Sequence, residues 1–177
     1  PWTPTPKPPT LSLRPEIENM PHGDSAMLDA ELLAALNKQI THEMGAGYSY
    51  LAIASYFEDI SLGGFTGMMK KQMQEEFEHA MKLFDVVNDR GGRVTLGPLP
   101  EPKGDFATPR EAVAHALSLE QGNTKAIHAL NKLAIDKSDY AVQSALQWFI
   151  DEQVEEEKLM GDILNLLEMA GDHKPAL

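Results

Sequence analysis

Four long stretches of this chain repeat apolar residues at the three-to-four spacing of an α-helix, and turn signals separate them. No other feature limits the fold so sharply. Each stretch is roughly 26 to 32 residues, and helices of that length bury their stripes best against one another, in a bundle. The first is expected from about Asp29 to Glu58, ending before Ser61-Leu62-Gly63-Gly64, whose paired glycines predict a turn. The second runs from about Phe65 to Arg90 and stops at Gly91-Gly92. An aperiodic stretch rich in Pro and Gly follows. Thr108 then offers an N-cap, Pro109 the first helical position and Glu111 the third, a capping box for a helix reaching about Asp136. Asp139 or Ser138 can cap the last helix, which reaches about Ala170 with Gly171 just beyond.

The turns after the first and third helices are short, so each pair is an antiparallel hairpin. The link between the second and third is roughly 17 residues and could span about 55 Å, more than the ~40 Å of a 27-residue helix. The expected fold is therefore all-α, an up-down-down-up four-helix bundle over residues 28–171 with a lengthwise crossover. Residues 1–27 hold seven of the twelve prolines and predict no helix or central strand. They are either an extended arm lying on this subunit or a neighbour, or a tail without a role. Residues 172–177 form a short tail.

Composition narrows the chemistry. A net charge of -12 argues against nucleic acid and anionic membranes as partners, and it favours cations. With no Cys, disulfides, thiolate metal sites and Cys nucleophiles are excluded. The longest apolar runs are too short to span a bilayer, and no secretory leader is visible, so a cytoplasmic location is expected.

The acidic run Asp151 to Glu157 raises a question, because it interrupts a strongly apolar segment. Helical projection from Phe149 places Val142, Ala145, Leu146, Met160, Ile163, Leu164 and Leu167 within about 60° of it. Gln153 falls at about +40° and Glu156 at about -20°, both inside the stripe. Asp151 and Glu157 lie off it, with Glu152 and Glu155 on one flank. The same projection centres Glu43 on the stripe of the first helix, among Leu32, Leu36, Ile40, Gly47, Tyr50 and Ala54. It puts Glu120 among Ala112, Val113, Ala116, Ile127, Leu130 and Ala134 on the third. On the second, it puts Glu76 within a stripe of Met69, Met73, Phe77, Ala80, Phe84 and Val87, with His79 at the margin.

One Glu on an apolar face is usually a boundary residue. Four such residues, one per helix and all near mid-helix, are a pattern. Reflected through the turns, Glu43, Glu76, Glu120 and Glu156 should meet in one layer. No Lys or Arg shares that layer, and unpaired buried carboxylates are costly. Protons or metal ions must compensate them, and two divalent cations balance four carboxylates. Oxygen-rich ligands with one imidazole suit iron or manganese, with zinc as a substitute. Glu76 and His79 are three apart and can hold one ion together.

The segments "LNKQITHEMGAGYSY", "KKQMQEEFEHAMKLFD", "LEQGNT" and "LQWFIDEQVEEEKL" resemble the iron-site segments of bacterial non-haem ferritins, from about Leu28 to Gly171. Ferritin-like proteins are the standing example of di-iron carboxylate sites inside a four-helix bundle. The resemblance implies a first iron held by Glu43, Glu76 and His79. Glu76 would bridge to a second held by Glu120 and Glu156, with Gln153 beside it. Glu75, Glu152 and Glu155, with Glu156, match a third iron site. Tyr50 and Trp148 match aromatic residues near the centre that can donate electrons, though core packing accounts equally for Trp148.

It also implies iron storage with ferroxidase activity, oxidation of Fe(II) by dioxygen or peroxide, and a homo-oligomeric cage of 24 subunits by family resemblance. Gln153 and Glu156 stand where bacterioferritins and rubrerythrins have Glu-x-x-His. Phe77 stands where bacterioferritins place a haem-ligating Met, so no haem is expected. Only six residues follow Gly171, where family members usually add a fifth helix. Asp136 and Asp139 lie near the turn where ferritins place acidic pores. The rival readings are a rubrerythrin-like peroxidase or other di-iron oxidase without storage, and a metal-free helical scaffold or storage subunit.

Overall fold

The computed structural model describes residues 27–171. Residues 1–26 of the Pro-rich arm and the tail at 172–177 lie outside the described residues. Among the described residues there are four helices and no strand: α1 (Ala30–Asp59), α2 (Gly63–Asp89), α3 (Pro109–Asp136) and α4 (Tyr140–Ala170). Three of their starts are fixed by side-chain caps that accept otherwise orphaned N–H groups. Asp29 accepts from Glu31 and Leu32, Thr108 from Glu111, and Asp139 from Val142. Asp139, rather than Ser138, is thus the cap of α4. Glu111 reaches back to the N–H of Ala107 at 2.8 Å, one residue before the cap itself.

The first turn differs from expectation. Gly63 and Gly64 open α2 instead of forming the turn, which is made at Ile60–Leu62 with Ser61 at φ 61°. The backbone of Leu62 closes it by donating to Phe57 at 2.9 Å. At the other end of α2, Gly91 does adopt a left-handed conformation, φ 69°, as a helix stop requires.

α1 packs along α2, and α3 along α4. The crossover climbs α1 residue by residue. Asn37 donates to the carbonyl of Arg93 and accepts from the N–H of Thr95, and Thr41 accepts from Gly97. The crossover ends with the Phe106 ring 5.3 Å from Tyr56. α3 therefore starts beside the C-terminal end of α1 and runs parallel to α2, which gives the up-down-down-up order. Arg90 and Asp139, 2.8 Å apart, tie the end of α2 to the start of α4.

The apolar interior is divided in two. One cluster gathers Leu32, Leu36, Ile40, Leu83, Ile127 and Leu146. The other gathers Ile53, Phe57, Met69, Val113, Met160 and Leu167. Between them every helix contributes buried polar side chains: Gln39 and Glu43, Gln72, Glu76 and His79, Glu120 and Asn123, Gln153 and Glu156.

Candidate metal centre

A polar layer across a bundle core is tolerated only if its groups satisfy one another or bind something. Much of this layer satisfies itself. The Gln39 amide donates to Glu43 Oε1 at 2.8 Å and to Asn123 Oδ1 at 2.6 Å. The Asn123 amide donates to Glu43 Oε2 at 2.9 Å and to Gln153 Oε1 at 3.1 Å. Gln153 Nε2 donates in turn to the Glu120 carbonyl and, at 3.3 Å, to its carboxylate. The Tyr50 hydroxyl donates to Glu120 Oε1, and Gln72 donates to Glu156 Oε2 at 2.6 Å.

The exceptions are concentrated. Both carboxylate oxygens of Glu76 and Nδ1 of His79 are buried without a hydrogen-bond partner. They face each other at 3.7 Å, too far for a hydrogen bond. Glu43, Glu76 and His79 each present a ligand atom within 4.8 Å of the others, and so do His79, Glu152 and Glu156. His79 belongs to both groups. Hard oxygen donors with one imidazole, and orphaned atoms at their meeting point, fit a borderline divalent cation such as Fe(II), Mn(II) or Zn(II).

Electrostatics say the same. Burial, and then the charge of Glu76, pushes the Glu43 carboxyl well above the ordinary range. Burial, and then Glu120, does so for Glu76. Glu120 is raised by burial, opposed by the hydrogen bonds from Tyr50 and Gln153. Glu156 is raised to about 7 by burial, with Glu120 and Glu75 adding. Tyr50 is pushed well up by burial and the Glu120 charge. The mutual repulsion of these carboxyls in the metal-free protein is what a bound cation would offset.

Close approach of α1 and α2 at this level depends on Gly47. A Cβ there would stand 3.2 Å from the Met73 carbonyl oxygen and 3.3 Å from Glu76 Cβ. A side chain there sits tighter than an ordinary contact, so its α2 neighbours must yield to admit one.

A match to the ferritin-like domain family covers residues 33–170. This chain belongs to the ferritin family. A bacterial non-haem ferritin of Staphylococcus saprophyticus is 39% identical over 151 residues, which is 85% of this chain and 90% of the relative. One from Staphylococcus aureus strain USA300 is 39% identical over 151 residues, 85% and 91% of the two chains. Among solved structures, an open-pore ferritin of the hyperthermophilic archaeon Archaeoglobus fulgidus is 43% identical with a TM-score of 0.83, covering 84% of this chain and 92% of that one. A form of that ferritin engineered to be closed is 42% identical with the same TM-score, over 84% and 91% of the two chains.

Within this ferritin fold the anticipated acids take different places. Glu43, Glu76, Glu120 and Glu156 are all inward and at most 5% exposed. His79, expected at the margin of its stripe, is buried at 3%. Phe77, expected inside it, is 41% exposed, and Met73 and Phe84 are only half-buried. The reason is that Gln72, Glu76 and His79 occupy the inward face of α2, so a projection weighted by apolar residues rotates toward an outward apolar edge.

On the outer flank, Glu152 reaches His79 and Glu156, whereas Glu155 is exposed and Glu75 pairs with Lys71 at 2.7 Å. Trp148 is 38% exposed, its ring edge-on to His79 at 5.3 Å with Lys82 over its face. That exposure argues against simple core packing. Asp139 is engaged as a helix cap and by Arg90, and Asp136 pairs with Lys132. No helix of the described residues is long and apolar enough to cross a membrane. A large open cleft lies at the bundle end among Tyr56, Leu62, Pro109 and Leu167, and none of the buried acids lines it.

Proposed function

We propose that this chain is an iron-storage ferritin whose polar layer is a ferroxidase centre. Two Fe(II) ions enter as substrate. Glu43 and His79 hold one, Glu120 and Glu156 the other, and Glu76 is shared between them. The observation that carries this is the pair of unsatisfied Glu76 oxygens, in a carboxylate that presents a ligand atom within 4.8 Å of those of Glu43 and His79. A buried carboxylate without donors is expensive unless a cation completes it.

Metal binding displaces the protons that burial holds on these carboxyls. Each Fe(II) then gives one electron. With dioxygen, the two electrons and two protons yield hydrogen peroxide. With hydrogen peroxide as oxidant, the same electrons and protons yield two waters. The chain supplies ligands already in place and a site sealed by two apolar clusters, while iron carries the redox chemistry. Ferric product then leaves for mineral. Glu152, with His79 and Glu156, supports a third iron position on the outer side, with Glu75 and Glu155 further out. Tyr50 and Trp148 stand where one-electron donors are useful.

Likeness to bacterial non-haem ferritins supports a soluble cytoplasmic store without haem. Likeness to a ferritin described as open-pore supports assembly of many copies into a shell, 24 by family resemblance. Size exclusion combined with aerobic Fe(II) loading tests the reading. A large assembly that takes up many irons per chain is storage. Two irons per chain in a small species is a di-iron oxidase, the rubrerythrin-like alternative, and no oxidation at all is a scaffold.

A further inference from the structure

The amide of Gln153, beside Glu120 and Glu156, could serve either as a metal ligand, through its oxygen, or as a donor, through its nitrogen. The hydrogen-bond chain decides between them. Asn123 donates its amide nitrogen to Glu43 Oε2 at 2.9 Å. The second N–H of that amide points to Gln153 at 3.1 Å, so the atom received there is the Gln153 oxygen. Gln39 closes the ring by donating to both Glu43 Oε1 and Asn123 Oδ1. Gln153 is then left with its nitrogen toward Glu120 and Thr124. Asn123 is 1% exposed and Gln153 is 2% exposed, so water cannot easily reverse the chain.

We propose that Asn123 is a positioning residue of the metal centre, which holds Glu43 of α1 in register with α4 and turns Gln153 into a donor to Glu120 rather than a ligand. Resting on the metal-centre reading above, this explains how a neutral amide belongs in a layer of acids. Its nitrogen steadies the Glu120 carboxylate, its oxygen is engaged by Asn123, and the ligand count stays with the four carboxylates and His79. Groups behind metal ligands commonly change affinity by about ten- to a hundred-fold when removed.

The test is a double-mutant cycle read by Co(II) binding calorimetry under anaerobic conditions, with thermal melts of the metal-free proteins alongside. Asn123→Leu keeps the volume and removes both donors. It is expected to weaken Co(II) binding about ten- to a hundred-fold. In a Gln153→Leu background that loss is expected to shrink by a factor of about three or more, because one of its two routes is gone. Asn123→Ala is the second variant, for the case in which Leu disturbs folding, and the same coupling is expected of it. Equal losses in both backgrounds, or wild-type affinity in both Asn123 variants, overturn the proposal while leaving the centre intact. Absence of Co(II) binding by the wild type overturns the metal-centre reading and this proposal with it.

Discussion

Glu156→Gln should make the metal-free protein more stable at pH 8 and leave it unchanged at pH 4. The Glu156 carboxyl titrates near 7 in the folded chain against an ordinary 4.5, chiefly because it is buried. A carboxyl raised in this way helps the fold fully below its unfolded value, and that help is lost as pH rises through the folded value. The window is therefore pH 4.5 to about 7, with stability falling toward alkaline pH. Each pH unit of such a difference is worth about 1.4 kcal/mol, which gives about 3 kcal/mol in full. The head group lies toward the outer flank with Glu75 and Glu152, so solvent screening reduces this to about 2 kcal/mol. Gln removes the charge and keeps the shape, and its oxygen can still accept from Gln72, which donates to Glu156 at 2.6 Å. For a domain of this size, about 2 kcal/mol is roughly 4 to 8 °C in Tm. The assay is thermal melting in chelator at fixed protein concentration, at pH 4, 6 and 8, wild type against variant. With Zn(II) at pH 8 the order should reverse, because the wild type keeps a ligand the variant lacks. A gap that does not change with pH, or a metal-free variant less stable than wild type at pH 8, would refute the reasoning.

Three further outcomes are expected. Glu76→Ala should abolish rapid Fe(II) oxidation in stopped-flow absorbance while leaving a folded bundle by circular dichroism, because the shared ligand is gone; wild-type rates would remove the assignment. Glu75→Ala and Glu155→Ala should keep the initial fast phase and alter turnover and the iron-to-oxygen ratio, since Glu155 is exposed and Glu75 is held by Lys71; loss of the fast phase in either refutes the flank reading. Gly47→Ala should weaken Zn(II) binding about tenfold or more by pushing Glu76 away from Glu43, although alanine is the better helix former by up to ~1 kcal/mol; unchanged calorimetric affinity counts against the close-approach argument.

Much of the bundle was legible because its signals are local. Thr108 and Asp139 are short polar side chains placed just before apolar periodicity, and each caps the helix it precedes; Asp29, expected as the first residue of α1, is its cap instead. Crossover length alone required α3 to be free to start at the far end, which Phe106 beside Tyr56 bears out. Where the reading slipped, a local signal competed with a tertiary one. Gly63 and Gly64 look like a turn, yet Ser61 takes the left-handed conformation and the glycines enter α2. On α2 the expected stripe is only partly inward: Met69, Ala80, Val87 and Glu76 are buried, but its centre is rotated for a related reason. The exposed Phe77 and the half-buried Met73 and Phe84 are more apolar than the buried Gln72, Glu76 and His79, so hydrophobicity shifted the expected centre of the face away from His79.

The same asymmetry explains what was missed inside the layer. Charged residues on an apolar stripe stand out because burying them is costly, and that singled out Glu43, Glu76, Glu120 and Glu156. Neutral amides cost less to bury and pass for boundary residues, so Gln39, Gln72 and Asn123 drew no notice. Their positions nonetheless carried a signal. Gln39 and Gln72 each lie four residues before an inward Glu, and Asn123 lies three after one, which places all three within about 60° of a buried carboxylate on its own helix. A carboxylate inside a protein needs donors wherever no cation reaches it, and a side-chain amide is the donor that adds no charge to compete with a metal. An inward Glu with an amide three or four residues away is thus a stronger indication of a metal layer than an inward Glu alone. Glu76 shows the complementary case. Gln72 lies four residues before it but donates across the bundle to Glu156, and both Glu76 oxygens are left without a donor. The acid deprived of its nearest amide is the one whose oxygens meet Glu43 and His79 with no donor between them.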